Sequence, residues 1–163
     1  MTSQVLRDQV FRQQRPGLQA WVSFLRAHAA LTRELNAELV RAHGLTINDY
    51  EVLFHLARAP DRRLRRIDLA EQLVLTASGI TRLLEGLERA GLVTKARCDS
   101  DARVTYAVVT ADGLTRLKSA ADTHLAGVRT LFESRFTDDE IATLGELLGR
   151  LPALGTDDSC EPV

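Results

Sequence analysis

The chain has 163 residues, of which 45% are hydrophobic and 26% charged, a composition that is typical of a soluble globular protein and excludes a disordered one. It contains no run of about 18 apolar residues, the length of a membrane-spanning helix, and its polar N-terminus lacks the apolar core of an export signal, so we expect a cytoplasmic protein. The formal net charge is −1, and the two cysteines, Cys98 and Cys160, are too few for a disulfide framework or a four-cysteine zinc site.

Two amphipathic helices are predicted at the N-terminus. The first covers about residues 4–14 and ends at Pro16 and Gly17; the second covers about residues 18–42 and ends at Gly44. Apolar residues recur along the second helix at spacings of three and four, the helical period: Leu18, Trp21, Leu25, Ala29, Leu35 and Leu39. Further apolar positions widen this face beyond what one small partner needs, and we therefore expect residues 1–44 to contribute to a dimer interface.

The next segment predicts three helices. Thr46 or Asn48 can cap a helix over residues 49–59, which Pro60 ends, and a strongly basic loop, ARAPDRRLRR, follows. Helices over residues 67–74 and 77–90 are joined by a short turn at Leu75 and Thr76, the arrangement of a helix-turn-helix. Thr76 is placed to cap the second of these helices, and Gly91 to end it.

The apolar residues of the second helix face inward and leave a polar outer side. That side carries Ser78, Gly79, Thr81, Arg82 and Glu85. Small and hydroxylic residues with one arginine near a helix N-terminus suit insertion into the major groove of DNA, where Arg82 can reach a guanine edge or a phosphate. A helical hairpin without a DNA target is the alternative interpretation of this segment.

The period changes after Gly91. Short runs rich in β-branched residues at 92–96 and 104–109, separated by the polar sequence RCDSDAR, predict a β-hairpin. Arg97 and Arg103 flank its turn, and an arginine at such a tip can enter a narrow minor groove. Asp101 can orient Arg103 through a local ion pair. Directly after a helix-turn-helix, a hairpin of this kind is interpreted as a wing.

Two further helices complete the chain. Thr110 caps a helix predicted over residues 111–136, and Thr137 with Glu140 forms a capping box for a helix over residues 138–151. The chain is too short to bury all the apolar faces of its terminal helices alone, so residues 111–151 are also assigned to dimerisation. Residues 152–163 are expected to be disordered.

The charge is unevenly distributed along the chain. Residues 58–103 carry ten basic and seven acidic side chains, a net charge of +3 that leaves −4 for the rest. A basic segment inside a weakly acidic chain agrees with phosphate binding, although ordinary surface charge explains it equally well.

The run from Leu45 to Leu117 resembles the multiple-antibiotic-resistance regulator (MarR) family of bacterial transcription factors. The resemblance is carried by LTINDYEVLFHL, by DLAEQLVLTASGITRLLEGLERAGLV as the helix-turn-helix and by DSDARVTYAVVTADGL as the wing. It implies a mainly α-helical fold with a small β-hairpin: a winged helix-turn-helix over residues 45–110, flanked by dimerisation helices. It further implies a homodimer that binds a pseudo-palindromic operator in double-stranded DNA. The chain departs from the family pattern at Gly79 and at Ser100, where proline is common.

The resemblance also assigns site residues. The DNA-binding set is Thr76, Ser78, Gly79, Thr81, Arg82, Arg97, Asp101 and Arg103. Many members release DNA when a small anionic aromatic effector binds, and the candidate lining residues here are Trp21, Phe24, His28 and Tyr50. Trp21 and Phe24 can equally be part of the dimer core.

Other chemistry has weaker support in the sequence. The four histidines form no metal-ligand pattern, and no phosphate-binding loop or catalytic triad spacing occurs, so we expect neither a cofactor nor an enzyme. The alternatives to an effector-released repressor are a redox-responsive regulator that uses Cys98, beside Arg97 on the wing, and a winged-helix interaction module without a DNA target.

Overall fold

The computed structural model describes residues 16–97 and 105–151 of the chain. The helix predicted over residues 4–14, the hairpin tip and the C-terminal tail lie outside these residues. The helices are α1 (Pro16–His43), α2 (Ile47–Arg58), α3 (Arg66–Gln72), α4 (Ala77–Arg89), α5 (Ala111–Glu133) and α6 (Asp138–Gly149). The strands are β1 (Arg63–Arg65), β2 (Val93–Arg97) and β3 (Thr105–Val109), and a 3-10 turn covers Pro60–Arg62. None of the helices in the described part is long and apolar enough to cross a membrane.

The chain divides into two compact units, residues 1–34 and residues 35–163. The described part of the first unit is the N-terminal portion of α1, where every residue from Pro16 to Ala30 is exposed in the single chain. The second unit contains the hydrophobic core, to which α2 contributes Val52, Leu53 and Leu56, all with no exposed surface. Leu69 of α3, Ile80 of α4 and Ala120 of α5 are buried in the same core. The winged helix-turn-helix region, residues 45–110, here named the reading head, therefore packs around α2.

The predicted helix starts agree with the structure because their capping side chains are visible in the sequence. The Thr46 hydroxyl accepts a hydrogen bond from the Asp49 amide, and the Asp49 carboxylate accepts one in return from the Thr46 amide, which completes a capping box. Thr110 caps α5, and Thr137 with Glu140 forms the capping box of α6. Gly44 and Gly91, the predicted stop residues, have φ values of +66° and +73°.

The helix predicted from about Leu18 begins two residues earlier, at Pro16, which occupies the first position of α1. Proline is well tolerated there because the amide it lacks has no partner in a first turn. Two helix ends also fall earlier than expected: α5 ends at Glu133 rather than 136, and α6 at Gly149 rather than 151.

The basic loop is also a correction, since part of it is a strand. β1 pairs antiparallel with β3, with Leu64 opposite Ala107, and β3 pairs with β2 on its other edge, giving the sheet order β1-β3-β2. Leu64 is half-buried between two exposed arginines. A single apolar residue is too short a pattern to predict a strand from sequence.

Candidate nucleic-acid interface

The turn between α3 and α4 sets the angle of the helix-turn-helix. α3 ends at Gln72, after which the Val74 amide donates to the Glu71 carbonyl (3.1 Å) and the Leu75 amide to the Ala70 carbonyl (2.8 Å). Val74 has a φ of +51° and its side chain is 69% exposed. A β-branched residue is strained in this left-handed conformation. The left-handed backbone at Val74 ends α3 two residues before the predicted end.

α4 presents its N-terminal turn to solvent. Ile80, Leu84 and Leu87 are buried, and the Thr76 hydroxyl accepts a hydrogen bond from the Gly79 amide (3.1 Å). The polar side chains that the sequence predicted for the outer face, Ser78 and Arg82, are exposed. The cap occupies the Gly79 amide and leaves the Ala77 and Ser78 amides without an intrahelical partner, so they can donate to a phosphate, which a helix N-terminus favours electrostatically.

The outer face of α4 has only one strong free donor. Thr81 donates its hydroxyl hydrogen to the Ala77 carbonyl (2.7 Å), and the Ser78 hydroxyl lies 3.2 Å from the Thr76 hydroxyl. Arg82 is exposed and has no ion-pair or hydrogen-bond partner among residues 16–97 and 105–151. Arg82 therefore keeps its full hydrogen-bonding capacity for a ligand.

The base of the wing follows α4 directly. β2 and β3 pair in register from Val93 opposite Val109 to Arg97 opposite Thr105, and Arg97 is exposed. The Thr110 hydroxyl donates to the Gly91 carbonyl (2.7 Å), and the Thr110 amide donates to the Leu92 carbonyl (3.1 Å). These bonds tie the end of α4 to the start of α5. Asp101, Arg103 and Cys98 lie outside the described residues, so their predicted roles stay predictions.

Two of the arginines before α3, Arg63 and Arg65, already have intramolecular partners. The Arg65 guanidinium donates two hydrogen bonds to the Asp68 carboxylate (2.8 and 2.6 Å), which raises the pKa of Arg65. Arg63 pairs with Asp61 at 3.2 Å and lies 5.0 Å above the Tyr106 ring. These two side chains therefore have fewer free donors than Arg82 has.

A cavity of about 450 Å³ lies between α3, α4 and the sheet. Its floor is apolar and its rim is basic; the floor includes Ile67, Ala70, Ile80, Leu84 and Ala107, and the rim includes Arg65, Arg66 and Lys95. Ala77, Glu88, Thr105 and Tyr106 complete the lining. Apolar walls with convergent cations suit a small aromatic anion. Sequence reasoning missed this cavity because its lining residues come from four separate segments.

Three of the predicted effector residues lie along α1. Trp21 and Phe24 have ring centroids 6.2 Å apart, and Phe24 and His28 are 6.3 Å apart. Trp21 is 56% exposed and Phe24 is 40% exposed in the single chain. This spacing places the three rings in a row on one side of the helix, as their separations of three and four residues predict.

Tyr50, the fourth predicted residue, is buried in the second unit. Its ring centroid is 4.7 Å from that of His124 on α5 and 6.3 Å from that of Phe54. Burial raises the pKa of the Tyr50 hydroxyl and lowers the pKa of His124, while the nearby Glu38 carboxylate opposes the change at His124. The Nδ1 atom of His124 is buried and has no hydrogen-bond partner in the described part of the chain. His124 is a polar neighbour of Tyr50 that the sequence did not reveal.

Metal-ligand clusters of three or more His, Cys, Asp or Glu side chains are not found among residues 16–97 and 105–151. The polar groups of this part of the chain that can bind a ligand are therefore those of the exposed first turn of α4, the base of the hairpin and the basic rim of the cavity. A helix-turn-helix followed by a β-hairpin, with a capped and exposed second helix, defines the class of winged helix-turn-helix DNA-binding proteins.

Comparison with known proteins identifies the family within this class. Residues 43–104 match the MarR family model. The chain is 31% identical over 112 residues to the HTH-type transcriptional repressor YetL of Bacillus subtilis, an alignment that covers 66% of each protein. It is 29% identical to the homoprotocatechuate degradative operon repressor of Escherichia coli, over 72% of this chain and 77% of that protein.

A solved structure gives the same result. Sco3205, a MarR family transcriptional regulator from Streptomyces coelicolor in complex with DNA, superposes with a TM-score of 0.74 at 32% identity, over 80% of this chain and 82% of that one. The chain therefore belongs to the MarR family, which confirms the predicted fold. It is a DNA-binding transcription regulator that works as a homodimer on double-stranded DNA.

Proposed function

We propose that this protein is a repressor that reads a pseudo-palindromic operator through Arg82 and the wing, and that a small anionic aromatic effector releases it. The observation that carries the proposal is the free, exposed Arg82 on the capped N-terminal turns of α4. Thr76, Ser78, Gly79 and Thr81 would position this turn against the major groove. Arg97, Asp101 and Arg103 would contact the adjoining minor groove and phosphates. The proposed activity is non-enzymatic and takes place at DNA, in the cytoplasm.

The DNA-binding part is tested by binding. We define the selected duplex as the sequence that the wild-type protein enriches from a random library. Fluorescence anisotropy with this duplex and with a random duplex of equal length, each over a range of salt concentrations, measures specific and non-specific affinity. A regulator binds the selected duplex far more tightly than the random one. A winged-helix interaction module would enrich no sequence and would show no such difference.

The dimer part of the proposal concerns which surfaces meet. α1 exposes Leu18, Val22 and Leu25, and the C-terminal helices expose Leu125, Leu147 and Leu148, between 36% and 54% each. A stable monomer rarely leaves so many large apolar side chains in water. We assign these side chains to the dimer interface, in agreement with the division of the sequence into a reading head and flanking dimerisation helices.

The effector part has support from chemistry and from one relative's name. The Escherichia coli relative is named for the operon that degrades homoprotocatechuate, an aromatic acid. Two places in this chain suit such a compound: the row formed by Trp21, Phe24 and His28 on α1, and the cavity with the basic rim. Apolar walls bury an aromatic ring, and Arg66 offers charge-assisted hydrogen bonds to a carboxylate, whereas Arg65 and Lys95 already pair with Asp68 and Glu88.

Release from DNA distinguishes these two places. Homoprotocatechuate and a series of hydroxybenzoates are titrated into the complex with the selected duplex, with wild type, Trp21→Ala and Arg66→Gln. Loss of the response in Trp21→Ala alone assigns the effector to α1, and loss in Arg66→Gln alone assigns it to the cavity. A wild-type complex that none of these compounds dissociates contradicts release by aromatic acids.

The redox alternative depends on Cys98. If Cys98 were the sensor, peroxide would release wild-type protein from the selected duplex and would leave Cys98→Ser bound. Because the neighbouring Asp99 opposes thiolate formation, we expect peroxide to have no effect on either protein.

A further inference from the structure

The connection between α4 and β2 contains an ion pair that crosses from the recognition helix to the wing. Lys95 Nζ lies 2.7 Å from Glu88 Oε2. Glu88 is in the last turns of α4, and Lys95 is the third residue of β2. The chain between them turns sharply at Gly91, whose φ is +73°. The pair therefore links two elements that the backbone joins through a bend.

The two partners differ in their surroundings. The Glu88 side chain is 22% exposed, whereas that of Lys95 is 59% exposed. The second oxygen of Glu88, Oε1, is buried and has no hydrogen-bond partner among the described residues. A carboxylate in that position is costly to desolvate, so its only visible compensation is the bond from Lys95. A solvent-exposed ion pair that served no other purpose would leave both oxygens in water.

Lys95 is also unusual in composition. It is one of only two lysines in the chain, against 19 arginines, and the only lysine in the reading head. The planar guanidinium of arginine matches both oxygens of a carboxylate. A lysine ammonium is instead a point charge on a flexible side chain and can donate to a single carboxylate oxygen. The bond from Lys95 to one oxygen of Glu88 has this form.

We propose that Glu88 is a positioning residue for DNA recognition: through Lys95 it fixes the hairpin relative to α4, so that wing and recognition helix reach DNA together. This inference depends on the proposed function, since it requires both elements to bind DNA. Bond formation between Glu88 and Lys95 restricts the bend at Gly91 before DNA arrives. Restricting this bend in the free protein lowers the ordering cost of binding, and affinity increases without any new contact to DNA.

The proposal makes an unusual prediction for Glu88→Gln. Removal of a carboxylate beside a DNA interface strengthens binding by simple electrostatics, because phosphates repel negative charge. If Glu88 positions the wing, Glu88→Gln instead weakens binding to the selected duplex, about threefold to tenfold, with the melting temperature and the dimer unchanged. The matched control is Glu71→Gln, the same change at an exposed carboxylate on α3, which should bind as tightly as wild type or more tightly.

A charge swap separates positioning from direct phosphate contact by Lys95. The double variant Glu88→Lys, Lys95→Glu keeps the pair and the net charge but puts a carboxylate on the wing. Positioning predicts that it recovers affinity to within about twofold of wild type. Phosphate contact by Lys95 predicts weaker binding than Lys95→Gln alone, since a carboxylate then faces DNA.

The experiment is a salt titration of binding to the selected and random duplexes for these variants, together with Arg82→Ala and thermal melts. Equal or tighter binding by Glu88→Gln overturns the inference, as does a folded swap variant that binds less well than Lys95→Gln. If the double variant has a lowered melting temperature, the comparison of DNA binding by Glu88→Gln and Glu71→Gln tests the inference without it. Normal binding by Glu88→Gln with weak binding by Arg82→Ala rejects the inference and retains the proposed function; a wild-type protein that enriches no duplex rejects the function itself.

Discussion

At the residue scale, Arg82 and Arg103 carry the proposed division between base reading and general affinity. Arg82→Ala should cost about 1–3 kcal/mol per half-site on the selected duplex and much less on random DNA, because a bidentate base contact is lost. Arg103→Ala should weaken binding to both duplexes more evenly and reduce the salt slope by about one unit per half-site. Salt titrations of both variants measure these effects.

Arg63→Ala is the control for these two substitutions. Arg63 is held by Asp61 and by the Tyr106 ring, so its loss should affect DNA binding less than either change. Operator binding at wild-type strength by both Arg82→Ala and Arg103→Ala would remove the proposed reading function. Arg63→Ala as the most damaging variant would place the interface on another face of the head.

Val74 offers a test of backbone strain at the same scale. Its φ of +51° raises the conformational energy of a β-branched residue but not that of glycine. Val74→Gly should therefore raise the free energy of unfolding by about 1 kcal/mol, as measured by urea denaturation. Val40→Gly should do the opposite, because Val40 is exposed within α1 and glycine is a poor helix former. A decrease in both variants would show that the turn is not strained.

His124 predicts a pH dependence of stability. Its pKa is lowered by burial, so the folded protein binds this proton less readily than the unfolded chain does. The contribution of neutral His124 is present above its unfolded pKa and is lost as pH falls below it. Wild type should lose stability between about pH 7 and pH 5 faster than His124→Phe, which has no proton to gain. Urea denaturation of both proteins across this range compares the slopes, and parallel curves would contradict the prediction.

At the element scale, the entry to α5 depends on a close backbone approach. A Cβ added at Gly113 would overlap the Leu92 carbonyl oxygen and lie 2.7 Å from Val109 Cγ2. Gly113→Ala should lower the free energy of unfolding by about 1–3 kcal/mol, because neither the Leu92 backbone nor strand β3, which carries Val109, can move away from the added methyl group. Gly86→Ala is the matched control: nothing lies within 4 Å of its added Cβ, and the change should stabilise α4 by about 1 kcal/mol. Thermal melts of the two variants should shift in opposite directions.

Some helices and strands of this protein can be predicted from its sequence, and others cannot. The apolar period and the caps Thr46, Thr76 and Thr110 are local signals, and the helix starts that they predict agree with the structure within about two residues. β1 was missed because its stability comes from pairing with β3, some forty positions later in the chain. The end of α3 was misplaced because Val74 adopts a backbone conformation that its own side chain disfavours.

Some features of the candidate site can likewise be predicted from local sequence, and others cannot. Arg82 follows from helical geometry, because the buried positions of α4 determine its outer face. The cavity and the His124 contact join distant segments, and the Glu88–Lys95 pair depends on the bend between α4 and β2; no local pattern encodes such contacts.

At the scale of the whole molecule, the exposed apolar side chains of the terminal helices predict that the fold depends on the dimer. Leu25 is 44% exposed and Leu125 is 54% exposed in the single chain. Leu25→Glu and Leu125→Glu should each lower both the melting temperature and the dimer content, because a buried unpaired charge at an interface is costly. Sedimentation at micromolar concentration, with parallel melts, measures both quantities.

Ile67→Glu is the control for dimerisation. Ile67 is as exposed as these leucines, at 59%, but lies on α3 in the reading head, so the variant should remain a dimer. A monomeric wild-type protein, or dimers that persist in both leucine variants, would contradict the assigned interface.

The bonds of Thr110 make the outer part of the hairpin an exchangeable segment. Thr110 holds Gly91 and Leu92, and the register from Val93–Val109 to Arg97–Thr105 is complete before the seven positions 98–104 begin. Because Val93 and Val109 are buried in the core, the apolar face of the base specifies its register, and we expect the base to tolerate changes within these seven positions. We therefore expect that a segment of different length or charge, grafted at these positions, changes DNA binding without redesign of the core.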